Sequence, residues 1–133
     1  MKIRKDFVTN SSSSSFIIAR HKDCTEDEIK DMLYGLKDKL FKFIDEYDCE
    51  FDCNHYNEMK FAYNAGNMDE VINFAIEDLA SDLNKTSKYD MTLGDWTVRC
   101  GYADSESCSL FPSVLYEFGY LMDSEHLKLG SGD

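Results

Sequence analysis

No apolar run in this 133-residue chain approaches the length needed to span a bilayer. An export signal is missing as well. Lys2, Arg4 and Lys5 give a basic start, but Thr9, Asn10 and the five serines 11–15 occupy the place of an apolar h-region. These absences predict a cytoplasmic protein with no membrane partner. There is no C-x2-C pair, and the five cysteines are odd in number and irregular in spacing. That argues for reduced thiols rather than a disulfide scaffold. No Ser or Cys stands in the G-x-S-x-G spacing of a nucleophile elbow, and no Gly-Lys-Ser/Thr closes a phosphate loop.

Positive charge is the other scarcity. Lys and Arg number 14 against 26 Asp and Glu, a formal net charge of −12. The cations gather early: residues 1–22 hold Lys2, Arg4, Lys5, Arg20 and Lys22 against Asp6, a balance of +4 that leaves the remaining chain at −16. Phosphate binding is driven by Lys and Arg, so such a body repels nucleic acid and steers toward basic surfaces. The 43% hydrophobic content, with 14% aromatics, is that of a folded chain of one domain.

The order of elements follows from periodicity. Residues 1–15 read as a basic, serine-rich leader, 16–129 as a single α+β domain and 130–133 as a frayed tail. Phe16, Ile17, Ile18 and Ala19 form a short apolar run that suits a central strand buried on both faces. Thr25 with Glu28 is a capping box, with Glu26 and Asp27 favourable in the first turn. Ile29, Leu33, Leu36, Leu40, Phe43, Ile44 and Tyr47 then carry one helix to about residue 47. Cys49, Phe51, Cys53 and His55 alternate with polar residues, as do Met59, Phe61 and Tyr63 with Lys60 and Ala62, which predicts a hairpin over 49–63. Asn67 caps a second helix striped by Met68, Ile72, Ala75, Ile76, Leu79 and Leu83. Residues 85–95 read as a polar connection. Trp96, Val98, Cys100 and Tyr102 alternate as a strand, and Pro112 marks the first turn of a last helix reaching Met122. The resulting β-α-β-β-α-β order with an added C-terminal helix is the ferredoxin-like split βαβ: an antiparallel sheet with helices on one face.

The candidate chemistry is thin. Cys49, Cys53 and His55 would share one face of a strand, and Cys100, or Cys24 with His21, could complete a tetrahedral zinc set. A cysteine nucleophile would pair Cys53 or Cys100 with His55 or His126. The bland reading of these thiols is packing. Lys60-Phe61-Ala62-Tyr63 has a trace of the aromatic platform by which such sheets stack RNA bases, opposed by the charge of the body. The second helix is the most distinctive surface. Glu70 and Glu77 lie opposite its apolar stripe, about 10 Å apart along the axis. Asp69, Asp78 and Asp82 flank them, and no Lys or Arg interrupts residues 67–84. A solvated face is the usual account of such charge. The sharper one is a surface that imitates a phosphate array.

The string Asp6-Phe7-Val8-Thr9-Asn10-Ser11, continuing through Ser15 to Phe16, resembles the N-terminal signature of many small Firmicutes and phage proteins. The resemblance implies a bacterial or phage cytoplasmic origin and attaches no activity. It also raises the serines 11–15 as a segment for recognition or modification.

Together these observations predict a non-enzymatic module whose acidic face of Asp69, Glu70, Glu77, Asp78 and Asp82 binds a basic protein surface. No cofactor is expected. One concrete form is a phage-type, anti-CRISPR-like inhibitor that occupies the basic groove of a host nucleic-acid enzyme. The alternatives are a small zinc-binding or cysteine-dependent enzyme domain using Cys49, Cys53, His55 and Cys100, and a substrate modified on its serine run.

Overall fold

The computed structural model describes residues 13–104 and 107–131. The fold is α+β, built on a five-stranded antiparallel sheet in the order β2-β3-β1-β5-β4. The strands are β1 (Ser13–His21), β2 (Met91–Leu93), β3 (Trp96–Asp104), β4 (Asp123–Ser124) and β5 (Leu127–Ser131), and the helices are α1 (Glu26–Tyr34), α2 (Lys37–Glu46), α3 (Tyr56–Asn64), α4 (Met68–Leu83) and α5 (Leu110–Phe118). As expected, β1 is central and the sheet is antiparallel. It pairs with β3 along its whole length and with β5 on its other side.

The helices cover one face of this sheet. Phe16, Ile18, Ala103 and Leu127 point into the core, where α4 is the hub, with Val71, Ile72, Ala75, Ile76, Leu79 and Leu83 all buried. Close approach is needed at Gly119, where an added Cβ would sit 2.5 Å from the Phe16 ring. The expectation that β1 is buried on both faces fails, because Ile17 is exposed. Its cross-strand partner Cys100 is exposed with it, as are Met91, Leu93 and Tyr102.

Five further expectations are corrected. The hairpin over 49–63 does not form, so the split βαβ order is lost while the α+β class stands. Asp48 and Cys49 take positive φ and turn the chain out of α2. Residues 49–53 then bury Cys49 and Phe51 by alternation, yet their only sheet-like contact among the described residues is a single bridge from Asp52 to Ser109. Residues 56–64 are helical. Met59 and Ala62 face inward at a spacing of three, and Phe61 points out, so a period of 3.6 governs where a period of two was expected.

The long first helix breaks at Gly35 and Leu36 into α1 and α2, and the amide of Gly35 closes the turn on Asp31 and Met32. At the C-terminal end α5 stops at Phe118, and residues 123–131 fold back as β4 and β5, placing Gly130 and Ser131 in the sheet rather than in a tail. At the other end Ser13, Ser14 and Ser15 belong to β1, not to a leader; Ser11, Ser12 and the signature before them lie outside the described residues. The polar connection before β3 contains β2, which pairs with β3 through a turn at Gly94 with φ of 61°.

Candidate functional site

The α3–α4 surface is where charge and apolar exposure coincide. α4 begins at Asn67, whose side chain accepts the Glu70 amide at 3.2 Å, as the sequence predicted. Half of its sixteen residues are buried. What reaches solvent is Asp69, Glu70, Asn73 and Glu77, with Phe74 half-covered beside them, Ser81 near the end of the helix, and Met68 at its start, which the sequence places in the buried stripe but which is exposed. α3 lies alongside and offers Glu58, Phe61, Ala62 and Ala65 at helical spacing. Between the helices runs an open groove of about 440 Å³ with Phe61, Ala62, Ala65 and Phe74 along its floor and Glu58 and Glu70 on its rim. Phe61 is 78% exposed, which is unusual for so large an apolar side chain.

Among the described residues no lysine or arginine lines this groove. Lys60 is the one lysine of α3, and it reaches back to Glu50 at 2.8 Å and to the Asp48 carbonyl at 2.6 Å. The groove side is therefore left to carboxylates. Asp69, Glu70 and Glu77 stand as the sequence placed them. Asp78 does not: it is 4% exposed, so it belongs to the interior and not to the acidic face. Its Oδ2 accepts the His55 amide at 2.9 Å and its Oδ1 meets the His55 ring at Nδ1, 2.6 Å away. The ring stacks on Phe74 with centroids 5.3 Å apart. Asp82 is half-buried and paired with Lys85 at 2.8 Å, and its carbonyl accepts from Arg99. It too leaves the open face. Glu58 joins that face instead, a residue that sequence reasoning passed over because it assigned the segment to a strand.

The hydrogen bond to Asp78 raises the pKa of His55, and Glu77 and Glu58 push in the same direction. The acidic field of the two helices is thus felt by the one imidazole at its edge.

The alternative zinc set is not gathered. Cys49 is buried beneath α2 and α3, His55 has given Nδ1 to Asp78, and Cys100 is exposed on the opposite face of the sheet. Burial pushes the thiols of Cys49 and Cys53 up to about 11 and about 12, so both are protonated at neutral pH and are poor nucleophiles. Phe61 and Tyr63 lie on α3 and not on the sheet, which removes the stacking platform. Tyr63 donates to Asp45 at 2.6 Å. The metal-type group that the described residues do form is at another corner, where His21, Asp23 and His126 converge. Comparison with family models, with curated proteins and with solved structures gave no match.

Proposed function

We propose that this chain is a non-enzymatic protein-interaction module whose α3–α4 groove receives a cationic segment of another protein, centred on an apolar side chain. The observation that carries this reading is Phe61, mostly in solvent, on a groove rimmed by Glu58 and Glu70 with Glu77 further along α4 and, among the described residues, no lysine or arginine lining it. Interfaces concentrate their binding energy in such aromatic anchors, and complementary charge supplies rate and register. The carboxylates support capture of a basic protein. The apolar floor between them, and the withdrawal of Asp78 and Asp82, favour a peptide or helix as occupant over a groove shaped to follow phosphates. An inhibitor of a nucleic-acid-handling enzyme remains a special case of this reading when the occupant is a basic segment of that enzyme.

The test is photo-crosslinking in a native-host lysate with the reactive group at position 61, compared with a control at Tyr120, which is equally exposed but distant in sequence. A partner captured at 61 alone through a Lys- or Arg-rich segment, and lost when Glu58, Glu70 and Glu77 are reversed to Lys, supports the reading. A captured segment that is acidic, or capture unchanged by the triple reversal, overturns it.

A further inference from the structure

Two of the three histidines of the chain meet where β1 ends against the β4–β5 turn. The His21 amide donates to the His126 carbonyl at 2.9 Å, and the two ring centroids are 5.1 Å apart. Asp23 follows His21 by two residues as the chain leaves the sheet. His21, Asp23 and His126 each bring one ligand-type atom to a common point, all within 4.8 Å of one another. We propose that these three side chains form a binding site for a divalent transition-metal ion. The site is independent of the groove.

The donor set is two imidazoles and one carboxylate. Imidazole suits zinc, nickel, cobalt or iron(II), whereas calcium and magnesium take oxygen. Two donors at zinc-ligand distance from a tetrahedral metal stand about 3.4 Å apart. His21 Nδ1 and Asp23 Oδ2 are already 3.6 Å apart. The His21 Nδ1 lone pair now accepts the Asp23 amide at 3.0 Å, and the metal would take that lone pair in its place. On the far side of the ring Nε2 faces Asp95 at 3.9 Å, a carboxylate suited to hold the proton there. Trp96 packs edge-on against the ring, 5.1 Å between centroids, and limits its rotation.

His126 is held from behind. Glu28 of α1 takes the His126 amide at 2.7 Å with Oε2 and the ring Nδ1 at 2.7 Å with Oε1, and Ser124 donates to the same Oε2. With Nδ1 tied to a carboxylate, the lone pair of the ring is at Nε2. A carboxylate behind a ligating histidine fixes its tautomer and raises its basicity, and losing such a partner typically costs about 10–100-fold in metal affinity. Glu28 is therefore a positioning residue for this site. Glu125, 3.9 Å from His126 Nε2, adds negative charge at the mouth. Three protein donors leave further coordination positions to water or a small ligand.

The experiment is calorimetric titration of the purified, reduced, full-length chain with Zn²⁺, followed by the visible spectrum of the Co²⁺ complex. One ion per chain is expected. His21→Ala and His126→Ala should each weaken binding about tenfold or more, and Glu28→Gln by about 10–100-fold with retained circular dichroism. Asp23 is 65% exposed, so Asp23→Ala cannot act by unfolding the chain and should also weaken binding about tenfold. Absence of saturable Zn²⁺ binding overturns the proposal. So does binding that Asp23→Ala and His126→Ala leave unchanged, or a thiolate charge-transfer band in the Co²⁺ spectrum.

Discussion

Two acid–histidine clamps, at different corners of the molecule, share one geometry and differ in what they serve. At His55 a helix aspartate, Asp78, takes the backbone amide with one oxygen and the ring Nδ1 with the other. At His126 a helix glutamate, Glu28, does the same. Each clamp ties a loop histidine to a helix through two bonds on one carboxylate, so ring and backbone are fixed together. The surroundings diverge. Asp78 is 5% exposed at its side chain and His55 lies flat on Phe74, so that clamp plugs the seam between α3 and α4. Glu28 and His126 are each about a quarter exposed, and their imidazole faces another histidine and Asp23. One clamp joins elements; the other aims a lone pair. The same pairing of residues thus carries different consequences according to what lies beyond the free nitrogen.

The largest expected effect tests the joining role. Asp78→Ala removes both acceptors of His55 and leaves its amide without that partner beneath the groove. Hydrogen bonds to a charged group are worth about 1.5–3 kcal/mol, and a void forms as well, so a loss of about 2–4 kcal/mol is expected in urea denaturation. A loss below about 0.5 kcal/mol, the range of ordinary surface changes, would show that the seam does not depend on the clamp. Glu28→Ala at the more open corner should cost about 1–2 kcal/mol, because water can replace part of what Glu28 gives. If the order of the two losses is reversed, the division into joining and aiming clamps is wrong.

Binding separates the clamps more sharply than stability. Phe61→Ala should reduce partner capture about tenfold or more, as expected for an aromatic anchor, while leaving stability within about 0.5 kcal/mol, since the ring is in solvent. The same substitution should leave Zn²⁺ titration unchanged. Asp23→Ala should do the converse. A substitution at one corner that moves the readout of the other would show that the corners are coupled through α4 and α1, which pack against each other.

Much of the scaffold was legible because its signals are local. The caps at Thr25 and Asn67, the stripe of α4 apart from the exposed Met68, and the strand β3 all depend on residues a few positions apart, and all are present, although Cys100 and Tyr102 of the alternating set in β3 face outward and Ala103 faces the core. The segment around Met59 was misread for a physical reason: Met59, Phe61 and Tyr63 fit a period of two, while Met59, Ala62 and Tyr63 fit a helix, and nine residues are too few for periodicity alone to decide. Ile17 was misread because an apolar run does not reveal whether both of its faces are covered. The clamps were not legible at all. In the sequence Glu28 stands out only as the partner of the Thr25 cap. The Thr25 hydroxyl does accept the Glu28 amide, but the Glu28 carboxylate turns to the β4–β5 turn, 98 positions away. Asp78 was read as surface because carboxylates usually are, and only the packing of α3 on α4 shows that position 78 faces inward. The trace in the sequence is a polar residue flanked on the helical wheel by Ala75, Leu79 and Ala80, all buried.

The smallest effect, and the one that separates the clamps without removing a side chain's bulk, is in the pH dependence of stability. Hydrogen bonds to Asp78 and Glu28 raise the pKa values of His55 and His126 above 6.5. A raised histidine contributes stability that is complete below about 6.5 and is lost as pH rises through the folded value. Glu28 moves the other way. Burial works to raise it, but the bonds from Ser124 and from the His126 ring and amide outweigh burial and bring it from 4.5 to about 2. Its contribution is present above about 4.5 and is lost as pH falls toward 2. The thermal midpoint should therefore be highest between pH 4.5 and 6.5 and decline on both sides. Glu28→Gln should flatten the acid limb and remove the His126 share of the alkaline limb, leaving the share that belongs to His55. Asp78→Asn should reduce the His55 share of the alkaline limb and leave the Glu28 share of the acid limb in place. Identical profiles for the two variants would mean that the corners do not titrate separately, and the contrast between them would then be one of exposure alone.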